Sequence, residues 1–422
     1  MRMSNVPQGY KQTEVGVIPE DWEVYRVREL VKHGPKNGYS GRSGKDVRGT
    51  PTLSLSATSN GHLVLNSQTI KYLEERVSPD SDLFLKPGDI LVQRSNTTDL
   101  VGTTAIFTGP PATFIYPDLM MRLRFKERAS ANWFWRYANS TEGRRFFTSV
   151  AAGSTGSMPK ISGEKLREMP IPVPPLPEQE AIAGALSDAD GLIESLEQLI
   201  AKKRRIKQGA MQALLTGKKR LPGFSGEWEV KTLRAVTQIP VTDGPHLTPQ
   251  FFRDGVPFLS VNNLVDNKID LSDLRYISME DHVLFSKKCK PQVNDLLFGK
   301  AASVGKVAIV EMDLDFNIWS PIALVRINDD NIPRFIYFCI QSEAVARQIT
   351  LFTNSSSQGN IGMGDIEQLT LALPEKGEQQ AIAAILSAMD AEIDALEIRL
   401  AKTRSLKQGM MLNLLTGSIR LL

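Results

Sequence analysis

Glu178–Leu221 reads EQEAIAGALSDADGLIESLEQLIAKKRRIKQGAMQALLTGKKRL, and Glu378–Leu421 reads EQQAIAAILSAMDAEIDALEIRLAKTRSLKQGMMLNLLTGSIRL. The offset is a constant 200 residues with no gap, and 24 of the 44 positions are identical. In the first copy Ile182, Leu186, Ala189, Ile193, Leu196 and Ile200 step by alternating fours and threes. In the second, Ile382, Leu386, Met389, Ile393, Leu396 and Leu400 step identically. A mean period of 3.5 makes a narrow apolar seam on a helix, the signature of a coiled coil. Beyond Ile200 and Leu400 the seam weakens: Lys203 and Lys207 fall on it, and the apolar residues shift to Ile206, Ala210 and Leu214, then again to Leu406, Met410 and Leu414. Thr216-Gly217 and Thr416-Gly417 are stop signals. At 1.5 Å per residue each helix is roughly 55 to 60 Å long. One apolar stripe needs a partner, and each copy is the natural partner of the other, antiparallel.

Shared seam residues alone would not prove duplication. The identities off the seam do more: Gln179, Ser187, Asp190, Arg204, Lys207, Gln208, Gly209, Thr216 and Arg220 recur at Gln379, Ser387, Asp390, Arg404, Lys407, Gln408, Gly409, Thr416 and Arg420. Two equivalent polar faces suit two copies of one partner, or survive as relics of duplication.

The helices divide the chain into blocks: 1–170, a helix at 171–221, 222–371, and a helix at 372–422. Neither large block carries long helical periodicity; both show short apolar runs punctuated by Gly, Pro, Asn and Asp, which read as strands and turns. The blocks echo each other around Trp22-Glu23-Val24 and Trp228-Glu229-Val230, and in Lys86–Val92 (KPGDILV) against Gln292–Phe298 (QVNDLLF). A polar loop, a glycine and an apolar strand follow each. Trp133, Phe134, Trp135 and Tyr137, like Phe335, Tyr337 and Phe338, read as a short helix packed on a sheet. The expected architecture is α+β: two similar mixed α/β domains joined by two long antiparallel coiled-coil helices, pseudo-twofold symmetric.

With 41% hydrophobic and 23% charged residues the composition is that of an ordinary globular protein. The opening MRMSNVPQGYKQTE lacks an apolar segment, so no signal peptide is expected. Two cysteines suit a reducing cytoplasm rather than a disulfide framework. The net charge of +3 hides an asymmetry, +8 over residues 1–221 and −5 over 222–422. The first half offers cations freely to an anionic partner; the second must focus its own on one face.

The chain resembles the specificity subunit of type I restriction-modification systems. The resemblance spans the whole chain and rests on the opening GYKQTEVGVIPEDWEV, the twin LPEQEAIA-like helix starts, the KQG…LLTG helix ends and the dissimilar blocks between them. It implies two target recognition domains, each reading one half of a split double-stranded DNA sequence, and a helical spacer that sets the gap and docks two methyltransferase subunits. It further implies methylation at adenine N6 by those subunits with S-adenosylmethionine, and restriction or translocase subunits in the full complex. No cofactor is expected in this chain.

No catalytic constellation stands out. Gly299–Val307 (GKAASVGKV) misses the phosphate-loop spacing and ends in valine. No G-x-G-x-x-G opens a helix, no Asn-Pro-Pro or Asp-Pro-Pro precedes an aromatic, and the four histidines lack metal-ligand spacing. Two other readings compete: a self-contained DNA methyltransferase or nuclease, which these absences disfavour, and a coiled-coil adaptor that binds only proteins.

Base-edge readout needs amide and guanidinium groups, and phosphate contact needs cations. Three loop sets per domain supply them. The first holds Lys36, Asn37, Tyr39, Arg42 and Lys45, with His246 in the second domain; the second holds Arg94, Ser95 and Asn96, with Lys300 and Ser303. The third holds Ser154, Thr155 and Lys160, with Ser355, Gln358 and Asn360. On the helices, Gln179, Arg204, Lys207, Gln208, Gln379, Arg404, Lys407 and Gln408 are the candidates for partner contact.

Overall fold

A computed structural model describes residues 6–44, 49–152, 158–353 and 359–421. The repeated stretches form two helices of 39 residues, Leu176–Leu214 and Lys376–Leu414. Each is followed by a left-handed glycine, Gly217 at φ 68° and Gly417 at φ 73°, the conformation that ends a helix without Cβ strain.

The chain forms two compact units, Met1–Ser195 with Arg399–Leu422, and Leu196–Ile398. Each unit therefore owns one globular block, the head of the long helix that follows it and the tail of the other helix. Within the first unit Glu178 meets Arg420, and Asp190 meets Lys407 at 2.5 Å, so the helix segments run antiparallel. Within the second, Glu378 meets Arg220, Asp390 meets Lys207 at 2.5 Å, and Glu392 meets Lys203 at 2.6 Å, again antiparallel. The lysines that interrupt the apolar seam thus face acids at the start of the opposing helix.

Of the seam residues, Ile182 and Leu186 are buried in the first unit's core beside Leu414 and Leu415. Ile382 and Leu386 are buried in the second unit's core beside Leu214 and Leu215. Leu196, Ile200, Ile393 and Leu400 are buried; Ile193 and Leu396 are half-buried.

The globular blocks are built on one plan. In the first unit, strands Val31–Asn37, Met120–Phe125, Ile90–Gln93 and Thr104–Ile106 lie side by side in that order, each antiparallel to its neighbour. In the second, Thr242–Asp243, Ile322–Val325, Leu296–Gly299 and Val307–Ile309 repeat the order and the directions. A helix rich in aromatics covers each sheet, Arg128–Ala138 and Pro333–Ile340, as expected. Ser140 and Ser342 cap the helix that follows, their hydroxyls accepting from Gly143 and Val345 backbone amides. A two-stranded ribbon closes each block, Glu23–Arg26 with Pro170–Val173 and Glu229–Thr232 with Thr370–Leu373.

The tryptophans of the Trp-Glu-Val echo anchor each block to the helices. Trp22 is fully buried, packs edge-on to Trp133 at 5.5 Å, and donates to Glu178 Oε2 at 2.9 Å. Trp228 packs edge-on to Phe335 at 6.3 Å and donates to Glu378 Oε2 at 3.2 Å. Each buried carboxylate also takes two hydrogen bonds from an arginine, Arg420 on Glu178 and Arg220 on Glu378. Such a fork satisfies a buried charge that would otherwise be costly.

Candidate nucleic-acid interface

A common frame holds the loops of both sheets. Asp89 and Asp295 begin equivalent central strands, and each is nearly fully buried. Arg124 Nε reaches Asp89 at 2.8 Å, and Arg326 Nε reaches Asp295 at 2.8 Å. The same aspartates accept from the backbone amides of Lys86 and Gln292, which ties the turn before the strand.

At the opposite end of each sheet the loop sets converge. In the first unit Gly38 N donates to Met120 O at 3.2 Å, Arg94 N to Leu119 O at 2.8 Å, and Ile161 N to Arg94 O at 2.9 Å. Ser95 bridges to Lys160. In the second unit Ser320 N donates to Pro245 O at 3.2 Å, Lys300 N to Pro321 O at 2.9 Å, and Ile361 N to Lys300 O at 2.9 Å. Ala301 bridges to Asn360. Three of these contacts recur at equivalent positions: Asn37 faces Met121 across the sheet as Asp243 faces Ala323, Arg94 stands where Lys300 stands, and Lys160 stands where Asn360 stands. A Cβ at Gly38 would lie 2.0 Å from Tyr116 O, and one at Gly244 1.7 Å from Ile318 O, so only glycine lets the strand end cross there.

Asn37, Arg42 and Lys160 are exposed on the first rim, and Arg94 is half-buried, its guanidinium 3.5 Å from Asp118 O. Lys36 is exposed and reaches Asp82 at 3.1 Å. Asp82 also takes Arg122 and Arg124; hydrogen bonding from Arg122, with smaller contributions from Lys36 and Arg124, holds its carboxyl well below the usual range. The exposed Tyr39 donates to Glu75 at 2.6 Å, which raises the pKa of the phenol. On the second rim His246 and Asn360 are exposed, Ser303 is half-buried, and Lys300 is largely covered. Lys45, Ser154, Thr155, Ser355 and Gln358 lie outside the described residues.

Four candidates are covered by the fold. Ser95 and Asn96 are buried, and Asn96 donates to Gln93 Oε1 at 2.6 Å and accepts from Thr97 N. The Asn96 amide is spent within the loop, while the Ser95 hydroxyl is covered and makes no hydrogen bond to a described residue, so neither side chain faces a ligand. The same holds on the helices for Gln179 and Gln379, which are buried and donate to Pro174 O and Pro374 O at 2.9 and 3.0 Å. They lock the connector onto the helix start. Lys207 and Lys407 are paired with Asp390 and Asp190, and Lys207 also lies over the Phe338 ring at 5.4 Å. Arg204 is exposed and reaches Glu397 at 2.7 Å; Gln208, Arg404 and Gln408 are exposed.

Sequence reading missed Asp243 and Lys288. Asp243 is completely buried and takes Lys288 Nζ at 2.5 Å, Lys300 Nζ at 3.0 Å and His246 Nε2 at 3.3 Å. Burial alone would raise its pKa; the hydrogen bonds and charges of Lys288 and Lys300 outweigh it and hold the carboxyl below its ordinary value. The Asp-Gly-Pro turn was a legible signal for the aspartate. Lys288 lies 45 residues from it and carries none. Among the described residues no group of three or more His, Cys, Asp or Glu is placed to hold a metal ion.

Residues 19–203 and 225–402 match the family model described as the type I restriction modification DNA specificity domain, once in each half. The chain belongs to that family. It is accordingly the DNA specificity subunit of a type I restriction-modification system, the component of such an enzyme that is itself non-catalytic. Over 98% of its length it is 26% identical to the putative MjaX specificity subunit of Methanocaldococcus jannaschii, covering 97% of that protein. It is 23% identical to the EcoKI specificity subunit of Escherichia coli, with 79% of this chain and 75% of that one aligned. The fold is similar to that of the type I restriction-modification S subunit of M. genitalium, with a TM-score of 0.57 at 14% identity over 93% of this chain and 96% of that one. Among the described residues no helix is long and apolar enough to cross a membrane.

Proposed function

We propose that the two rims read two different short stretches of one DNA duplex, so that the complete site is bipartite and asymmetric. The observation that carries this reading is the recurrence of one loop frame with different side chains in it. Asn37, Arg94 and Lys160 in the first unit stand where Asp243, Lys300 and Asn360 stand in the second. A shared frame with unlike contents suits a common task, docking on a duplex, performed on unlike sequences. In the first unit Asn37 offers a side-chain amide suited to a base edge, while Arg94, Lys160, Arg42 and Lys36 supply cations for phosphates. His246 and Asn360 are the corresponding exposed groups of the second.

The paired helices act as the spacer between the two readings. Their exposed Arg204, Gln208, Arg404 and Gln408 dock two methyltransferase subunits, which bring S-adenosylmethionine and transfer its methyl group to DNA. Restriction or translocase subunits join in the full complex, and the assembly works in the cytoplasm. The test replaces residues 30–170 with the equivalent block of another specificity subunit and sequences the methylated sites of a host carrying the hybrid system. One half of the methylated site should change and the other remain. If both halves stayed the same, or both changed, independent reading by the two units would be wrong.

A further inference from the structure

The second unit carries a surplus of acids, yet one place on its rim concentrates cations around a carboxylate with no exposed surface. Lys288 Nζ lies 2.5 Å from Asp243 Oδ1 and 3.1 Å from Gly244 O; Lys300 Nζ lies 3.0 Å from Asp243 Oδ2. Two ammonium groups share one carboxylate, so the cluster keeps a positive surplus before His246, 3.3 Å from Asp243, is counted. An ammonium has three donors, and Lys288 uses two of them on Asp243 and Gly244. Its side chain is half exposed, so the third donor is available to solvent or to an anion. Asp243 has no exposed surface from which to repel that anion. The strand end is pinned as well, because Gly244 leaves no room beside Ile318 O.

We propose that Lys288 and Lys300, held in place by the buried Asp243, form a site for one backbone phosphate of the DNA bound at the second unit's rim. Lys288 makes the contact, Lys300 supports it electrostatically, and Asp243 is a positioning residue. In the first unit the uncharged Asn37 occupies the position of Asp243. A phosphate contact carries no sequence information; it fixes where the duplex sits. The site rests on the reading that this rim meets DNA.

The test measures binding of the full-length chain, assembled with its methyltransferase subunits, to a random-sequence duplex as salt is raised. Loss of one phosphate contact lowers the log–log salt slope by about 0.9, so wild type should lose about threefold more affinity than Lys288→Gln between about 50 and 200 mM salt. Lys231→Gln, an exposed charge paired with Glu229 on the closing ribbon, should leave the slope unchanged. Asp243→Asn separates positioning from bulk charge: it adds one positive charge, which by itself tightens binding, whereas loss of positioning weakens it. If Lys288→Gln behaved as Lys231→Gln while Arg94→Gln in the first unit lowered the slope, the phosphate site would be overturned and the rim reading would stand. If neither rim variant altered the slope, or if wild type showed no salt dependence, the rim reading would fall with it.

Discussion

The two units share a skeleton to the level of single hydrogen bonds, yet their rims differ in chemistry at matching positions. Trp22, Glu178 and Arg420 in one correspond to Trp228, Glu378 and Arg220 in the other, as Asp89–Arg124 corresponds to Asp295–Arg326. Against that constancy stand Asn37 for Asp243 and Arg94 for Lys300 on the rim, and Arg136 for Phe338 on the aromatic helix. The tryptophan–glutamate–arginine clasp and the aspartate–arginine pair recur in both units, and each would leave an unsatisfied buried charge if one partner changed alone. On the rim the charge and its partners differ together: the first unit has exposed Asn37 and half-buried Arg94, whereas the second has buried Asp243 tied to Lys288 and Lys300. On the proposed reading, in which the two rims meet different sequences, that separation of skeleton from rim keeps one fold while the contacts vary.

The largest effect should come from breaking the common skeleton. Glu178→Ala leaves Arg420 only its more exposed partner Asp21 and removes the acceptor of a fully buried tryptophan, and should cost about 3–5 kcal/mol in urea unfolding of the first unit. Glu378→Ala should cost less, since Trp228 is only half-buried and its bond is longer at 3.2 Å. Equal losses would mean that the two clasps are energetically alike despite their geometry.

Next in size is a difference built into the rims. Asn37→Ala should reduce discrimination at one base of the first half-site by about 1–3 kcal/mol, without affecting the second half-site. Competition binding on duplexes altered at single positions measures this; uniform weakening on every sequence would instead make Asn37 a backbone contact. A smaller effect is expected from Arg136→Phe, which gives the first unit the second unit's residue. Arg136 is buried and donates to Ser187 Oγ at 2.9 Å and to Asp190. Its loss should destabilise the first unit by about 1–2 kcal/mol, with Lys407 remaining on Asp190. Unchanged unfolding would show that the phenylalanine arrangement serves both units equally.

The smallest effect is a pH dependence. Burial of Asp190 works to raise its pKa, but hydrogen bonds from Lys407 and Arg136 prevail and depress it. A depressed carboxyl stabilises the folded state above its unfolded pKa near 3.8, and the contribution fades as pH falls through the lower folded value. Asp190→Asn should therefore lower stability at neutral pH and flatten its decline below about pH 4. An acid limb as steep as that of wild type would assign the decline to other carboxylates.

The helices were legible because an uninterrupted 200-residue offset and a 3.5-residue period need no knowledge of tertiary contacts. The strands and the aromatic helices were legible from turn signals and short apolar runs, and the matching loops from the shared frame around them. The polar side chains were harder to read. Ser95, Asn96, Gln179 and Gln379 look like surface residues, yet all are buried: the glutamines donate to backbone carbonyls and Asn96 to the Gln93 side chain, partners that no linear pattern reveals. Arg122 sits in MRLRF, where alternation suggests an outward residue, yet it is covered and held by Asp82, 40 residues away. Arg220 and Arg420 recur for a reason opposite to partner contact: each closes its own unit.

The fork from Arg420 to Glu178 and Asp21 has a consequence for biosynthesis. The first unit draws Leu414, Leu415 and Arg420 from beyond position 398, by which every residue of the second unit has been made. The block that leaves the ribosome first is thus completed after the second, with its tryptophan lacking the arginine partner of Glu178 until Arg420 has been made. A nascent chain stalled before Met410 would expose an open apolar seat on that block, a ready mark for chaperones and proteases that cull unfinished subunits.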